Sequence, residues 1–276
     1  MKYEYHFTKW KNTQLMEFLN EQKIEYQEGS NQLWIVFSIF SSSPKAEFYL
    51  EELKKMNIRE NYITVEFTKK ELSEADFLMM RPKRQSIDIE NEDAFRYTCE
   101  WTSRLGEKVF QHEEQVKEVV VKKVPSMKKR NAFWCESTGF SVIFADKRIR
   151  RLAEENFLSG IEFKNVFLKN GTCSDELFQM TSSNILKKEC IVFGYGEKIE
   201  KCPKCGKEQY VTDHVWQLHL DFSKIERQSD LYVTERIFGE GFARPIYVIS
   251  QKFYRLLVEN KLDKNVTFFP VVNVDI

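Results

Sequence analysis

Glycine and proline are scarce in this chain, 10 and 6 in 276 residues, which excludes long flexible linkers and collagen-like or low-complexity architectures. A net charge is missing as well, since 42 Lys plus Arg stand against 42 Asp plus Glu. That balance excludes a disordered polyelectrolyte, and it argues against a general nucleic-acid binder, which carries an excess of cations. No apolar run approaches the roughly 18 residues of a membrane span. The opening MKYEYHFTKWKN has neither the basic nor the apolar region of a targeting peptide. The expectation is a folded, soluble, cytoplasmic chain with no membrane and no nucleic-acid partner.

Catalytic motifs are absent in the same way. The four histidines, His6, His112, His214 and His219, form no H-E-x-x-H or H-x-E arrangement, and neither G-x-S-x-G nor a GKS phosphate loop occurs. The paired glycines of residues 239–242 read as a turn. The weak signal points away from an enzyme, the alternative being an active site of unrecognised type.

What is present is a wealth of large apolar side chains, 23 Phe and 11 Tyr among them, enough for several cores at about 100 to 200 residues per domain. In residues 1–76, Tyr3, Tyr5 and Phe7 alternate along a strand, and Leu15, Phe18 and Leu19 follow at helical spacing behind a capping Asn12. A short strand over 24–27 turns at Gly29, Ser30 and Asn31 into a strand over 32–40 that is apolar on both faces, so cover on both sides is expected. Ser43 and Pro44 open a second helix carrying Ala46, Tyr49, Leu50 and Leu53, and Ile63, Val65 and Phe67 alternate in a closing strand. The order is βαββαβ, the ferredoxin-like pattern, a fold that settles no function. Trp34 and Phe40 are candidate stacking platforms for RNA, with core or interface packing the expected use.

The remaining 200 residues look duplicated. Arg151, Leu152, Glu155, Asn156 and Leu158 recur about 104 residues later as Arg255, Leu256, Glu259, Asn260 and Leu262, followed by Phe163 and Val166 as Phe268 and Val271. Each stretch reads as a strand end, a cap (Asp146 or Ser250), a helix and a strand. Upstream, residues 102–106 stand against Cys202-Pro-Lys-Cys-Gly206. The expected fold class is therefore α+β, with a ferredoxin-like unit over 1–76 and two divergent copies of a sheet-rich α+β unit over 77–172 and 173–276. The middle stretch is mildly basic, 18 Lys plus Arg against 14 Asp plus Glu. On its helix Arg150 and Arg151 can pair with Glu154 and Glu155 at i+4, which leaves residues 122–130 to suit an acidic patch on a protein partner.

Chemistry is attached to one motif. Cys202 and Cys205, two residues apart on a turn that Gly206 can close with positive φ, make half of a tetrahedral zinc site. Cys190 and His214 are the candidate further ligands. Thr102 and Leu105 stand where the other copy would carry its cysteines. Three readings stay open: a zinc site, a knuckle that keeps only its turn geometry, and a redox dithiol. The four remaining cysteines, Cys99, Cys135, Cys173 and Cys190, are singly placed and read as small hydrophobes.

On these residues, the part of the chain from Phe77 onward resembles the bacterial double-CxxCG motif proteins, which carry two such knuckles in a duplicated unit. Its ending, with Ser250, Phe253, Leu256, Val266, Phe268, Pro270 and Val271, is similar to that of several immunity proteins of polymorphic-toxin systems. The resemblance implies a non-catalytic protein that binds and neutralises a cognate bacterial toxin, with zinc as its cofactor. Only the second knuckle keeps its cysteines, so the resemblance does not extend zinc binding to Thr102 and Leu105. A zinc-knuckle protein of purely structural or interaction role is the alternative.

Overall fold

The computed structural model describes residues 2–83, 86–102, 108–127, 131–136, 142–192, 198–202, 204–206, 208–211, 218–225, 228–238 and 244–274. It is a mixed α+β, sheet-rich chain, and none of its described helices is long and apolar enough to cross a membrane. It divides into two compact units, Met1–Glu71 and Leu72–Ile276.

The first unit contains β1 (Lys2–Trp10), α1 (Thr13–Glu21), β2 (Tyr26–Glu28), β3 (Trp34–Phe40), α2 (Ala46–Lys55) and β4 (Tyr62–Glu66). The strands run in the order β2-β3-β1-β4, and every neighbouring pair is antiparallel. Asn12 caps α1 by accepting the Leu15 N–H. Leu15, Phe18 and Leu19 of α1 and Ala46 and Leu53 of α2 share one core with Phe7, Ile35, Phe37 and Ile39, so both helices cover the same sheet face. The expected cover on both faces of β3 is met on that side only. On the other, Trp34 stacks on Trp10 at 4.0 Å and Val36 and Phe40 are exposed. Ser43 lies in a turn, its carbonyl accepting the Ala46 N–H, and α2 starts behind Lys45 without a side-chain cap.

A short helix, α3 (Lys69–Glu74), precedes the strands of the second unit. These begin with β5 (Phe77–Pro82), β6 (Ser86–Ile87), β7 (Phe95–Thr102), β8 (Lys108–Gln115), β9 (Val120–Val121), β10 (Phe133–Glu136) and β11 (Ile143–Asp146). Then come α4 (Lys147–Glu155), β12 (Glu162–Leu168), β13 (Cys173–Thr181), β14 (Ile185–Leu186), β15 (Ile191–Val192), β16 (Lys198–Lys201), β17 (Glu208–Val211) and β18 (His219–Leu220). The chain closes with β19 (Leu231–Phe238), β20 (Arg244–Ser250), α5 (Gln251–Glu259), β21 (Val266–Pro270) and β22 (Val272–Asn273).

Two sheets carry this unit, in the orders β6-β10-β11-β13-β12-β9 and β16-β17-β19-β20-β5-β21, with β14 joining β19 at the side. Their pairings repeat. In the first, β13 lies antiparallel between β11 and β12, and β6 runs parallel to β10. In the second, β5 lies antiparallel between β20 and β21, and β14 runs parallel to β19. The early strand β5 thus completes the later sheet, and the later strand β13 completes the earlier one. One core follows from this crossing, joining Leu78, Phe133, Ile143, Ile149 and Met180 to Leu231, Ile249, Phe253, Leu257 and Phe268.

Local signals place the two helices. Asp146 accepts the Arg148 and Ile149 N–H groups ahead of α4, and Ser250 accepts the Phe253 N–H ahead of α5. The i+4 pairs Arg150–Glu154 and Arg151–Glu155 form at 2.8 and 3.4 Å. The loops after the helices then cross to the other sheet. Ser159 donates its N–H to Asp230, while Asn265 accepts the Ala132 N–H. Gly160 has φ +74, and a Cβ there would stand 1.9 Å from Ser229 Oγ, so this crossing admits glycine alone.

Candidate metal centre

The site is built from two hairpins. β7 and β8 pair antiparallel from Phe95↔Gln115 to Thr102↔Lys108, with Thr98 opposite His112. Cys99 takes a left-handed backbone, φ 69, which turns its side chain out of the regular alternation. β16 and β17 pair from Lys198↔Val211 to Lys201↔Glu208, and their turn carries Cys202 and Cys205. Gly206 has φ +72 and donates its N–H to the Cys202 carbonyl at 2.8 Å. A Cβ at Gly206 would meet nothing within 4 Å, so glycine is needed there for its backbone angle and not for space.

Cys99, His112, Cys202 and Cys205 converge. Their Sγ and ring nitrogen atoms all lie within 4.8 Å of one another, and Cys205 Sγ approaches His112 Nδ1 to 3.1 Å. Ligands at about 2.0 to 2.3 Å from one ion in a tetrahedron stand roughly 3.3 to 3.8 Å apart, so this group could hold a metal ion after small side-chain movements. His112 and Cys202 are buried, Cys99 is half-buried and Cys205 is exposed. Burial works against ionising the Cys202 thiol. Hydrogen bonds from the Cys205 and Lys204 backbone and from the Cys205 and Cys99 thiols outweigh it and hold its pKa below the ordinary value. A sulfur prepared as thiolate is a sulfur prepared for a metal.

The sequence singled out Cys202 and Cys205, and they stand together here. Cys190 is elsewhere, buried in the 3-10 turn ahead of β15, with its thiol donating to the Lys224 carbonyl at 3.2 Å. His214 falls outside the described residues, as do Leu105, residues 128–130 and residues 239–242; Thr102 pairs with Lys108 at the end of β7. Cys99 and His112 are the members that sequence reasoning missed. Their signal was the alignment of residues 102–106 with the knuckle. If the two turns correspond, the strands flanking the first can face the second, and Cys99 and His112 are the metal-binding types they carry. No protein-family model matches this chain, and no curated protein matches it.

Proposed function

We propose that this chain is a non-catalytic protein-binding protein whose second unit is closed by a structural zinc ion on Cys99, His112, Cys202 and Cys205. The observation that carries the metal is the donor set, three sulfurs and one imidazole gathered from two hairpins. Soft thiolates with one histidine suit zinc in preference to magnesium or calcium, which take oxygen ligands. Four protein donors fill a tetrahedron, and a filled tetrahedron is the structural form of the site, whereas catalytic zinc keeps one position for water or substrate.

Two further parts of the reading concern architecture. The all-antiparallel order β2-β3-β1-β4 with both helices on one face supports a ferredoxin-like first unit. The repeated pairings, in which β13 and β5 occupy equivalent central places in the two sheets, support a duplicated second unit whose copies have exchanged their first strands.

The partner side of the proposal rests on the resemblance to double-CxxCG and immunity proteins. On that reading the chain binds a cognate bacterial toxin and neutralises it by covering a working surface, which needs no catalytic residue. Two measurements test the proposal. Protein purified without added metal is expected to contain about one zinc per chain, lost in His112→Ala and in Cys202→Ser; a metal-free chain of unchanged thermal stability overturns the zinc. Co-expression with the product of a toxin-like reading frame beside the gene is expected to give a complex in which the toxin is inactive. Turnover of a small molecule by the isolated chain, abolished by mutating one polar cluster, overturns the binding role.

A further inference from the structure

The four members of the metal cluster are unequally protected, and the two hairpins they join are unequally held. Cys205 is exposed, while His112 and Cys202 are buried. Cys202 and Cys205 sit on one turn with their sulfurs within 4.8 Å. Cys173 is also exposed but lies on β13, outside the cluster, and Cys135 and Cys190 are buried. Among the described residues, β7 and β8 pair only with each other, and Cys99 within β7 keeps its left-handed backbone at the cluster.

We propose that Cys202 and Cys205 are a site of reversible oxidation by hydroperoxides, and that oxidation releases the metal and frees the β7–β8 hairpin. This rests on the zinc reading above. The exposed Cys205 thiolate attacks a peroxide oxygen, so that an S–O bond forms and the O–O bond breaks, with hydroxide leaving. The Cys202 thiolate then displaces a second hydroxide from the sulfenic acid and the S–S bond forms. With hydrogen peroxide as the oxidant, the two sulfurs lose two electrons, the peroxide gains them, and both hydroxides take protons from solvent. Cys99 and His112 remain as only two donors, too few for a tetrahedral site. A dithiol reductant with zinc reverses the change.

Exposure decides the order of attack, because thiolate reactivity follows access as well as charge. The consequence lies in the sheets. The knuckle strand β17 is paired with β19, whereas among the described residues β7 and β8 pair only with each other, so loss of the cluster is expected to loosen the β7–β8 hairpin first.

The test uses the full purified chain. Zinc is first measured by mass spectrometry; hydrogen peroxide is then added with a chromogenic chelator, followed by non-reducing peptide mapping and amide hydrogen exchange. The expected result is zinc release in step with a Cys202–Cys205 disulfide. Exchange over residues 95–115 should rise at least about tenfold, with residues 208–211 unchanged. Dithiothreitol plus zinc should restore the starting state, and Cys173→Ser should behave as the unaltered chain. Zinc retained while peroxide oxidises Cys173, or a disulfide joining any other pair, overturns this proposal and leaves the zinc reading standing. A chain that carries no zinc at the first measurement overturns the zinc reading itself, and this proposal with it.

Discussion

The two hairpins that meet at the Cys/His cluster are held in different ways. The β16–β17 hairpin belongs to a sheet: Gln209 and Tyr210 pair with Ile237 and Phe238 of β19, and the Tyr210 ring, 1% exposed, stacks on Phe238 at 4.8 Å. Its turn is set by Gly206 and the Gly206–Cys202 hydrogen bond before any metal arrives. The β7–β8 hairpin is anchored at its base, where Phe95 enters a core with Trp134 and Phe144 and the Gln115 and Gln179 amides bond reciprocally at 3.0 and 2.6 Å. Beyond that base stands Cys99, a non-glycine residue in a left-handed backbone, a conformation that costs about 1 to 2 kcal/mol. On the zinc reading, the first hairpin is a preformed half-site and the second is tied down by the metal. Metal affinity in such an arrangement is partly spent on ordering the second hairpin.

The largest effect should come from removing the metal. His112→Ala, or chelation of the unaltered chain, is expected to lower stability by about 4 kcal/mol where free zinc stands a thousandfold above its Kd. Thermal unfolding with and without chelator measures this, and hydrogen exchange should locate the loss in residues 95–115 before 208–211. Acid should act the same way. The Cys202 pKa is lower in the folded chain than in the unfolded one, so its contribution to stability is full above the unfolded value and is lost as pH falls through the folded value. Protons also compete with the metal for the same sulfurs. Zinc release followed against falling pH should therefore coincide with faster exchange in the β7–β8 hairpin; equal loss in both hairpins would break the comparison.

Next in size is a change at the shared core, away from both hairpins. Gly160→Ala places a Cβ 1.9 Å from Ser229 Oγ and 2.3 Å from Asn184 Nδ2 at φ +74. Overpacking and left-handed strain together should cost about 3 kcal/mol. Denaturant unfolding checks the loss, and zinc content should stay unchanged, because Gly160 ties the α4 loop to β19 and touches neither hairpin turn.

How far these features could be read from the sequence depends on their range. Caps are local, and Asn12, Asp146 and Ser250 accept the N–H groups their positions predict. Ser43 accepts the Lys45 N–H at 3.4 Å, but in a turn just ahead of α2, which begins at Ala46. Periodicity found the strands but could not tell that Trp34, Val36 and Phe40 stay outside the first unit's core, since an apolar face looks the same in sequence whether or not it is covered. Cys202 and Cys205 were legible because both ligands sit on one five-residue motif. Cys99 and His112 were not, because their approach to that motif depends on hairpin register and on packing across about a hundred residues of chain. The pairing of β5 in the later sheet and of β13 in the earlier one was hidden for the same reason. Matching stretches show which segments are alike and leave open which segments pair.

A smaller effect is expected at the knuckle turn. Gly206→Ala meets no neighbour within 4 Å, so its cost is the left-handed backbone alone, about 1 to 2 kcal/mol. Because the turn presents two ligands, the loss should appear as weaker zinc binding in a chelator competition. Gly171→Ala supplies the control: Gly171 has φ +81 and equally open surroundings, but it lies in the turn between β12 and β13, away from the cluster. It should lose similar stability and no zinc affinity.

The smallest effect tests the anchored base of the β7–β8 hairpin. Gln179 is 6% exposed, and its amide bonds to Gln115 on β8 in both directions. Gln115→Ala leaves that buried amide short of a partner at a cost of about 1 kcal/mol. Zinc should remain bound, since Gln115 lies at the end of β8 while His112 lies within it. Exchange should rise at the base of the hairpin near Phe95 and less at Cys99, where the metal still holds the strand. With zinc removed from the same variant, base and middle should open together. If the base stays protected in that doubly weakened chain, Phe95 and the core it enters hold the hairpin alone, and the metal orders only the end that carries Cys99 and His112.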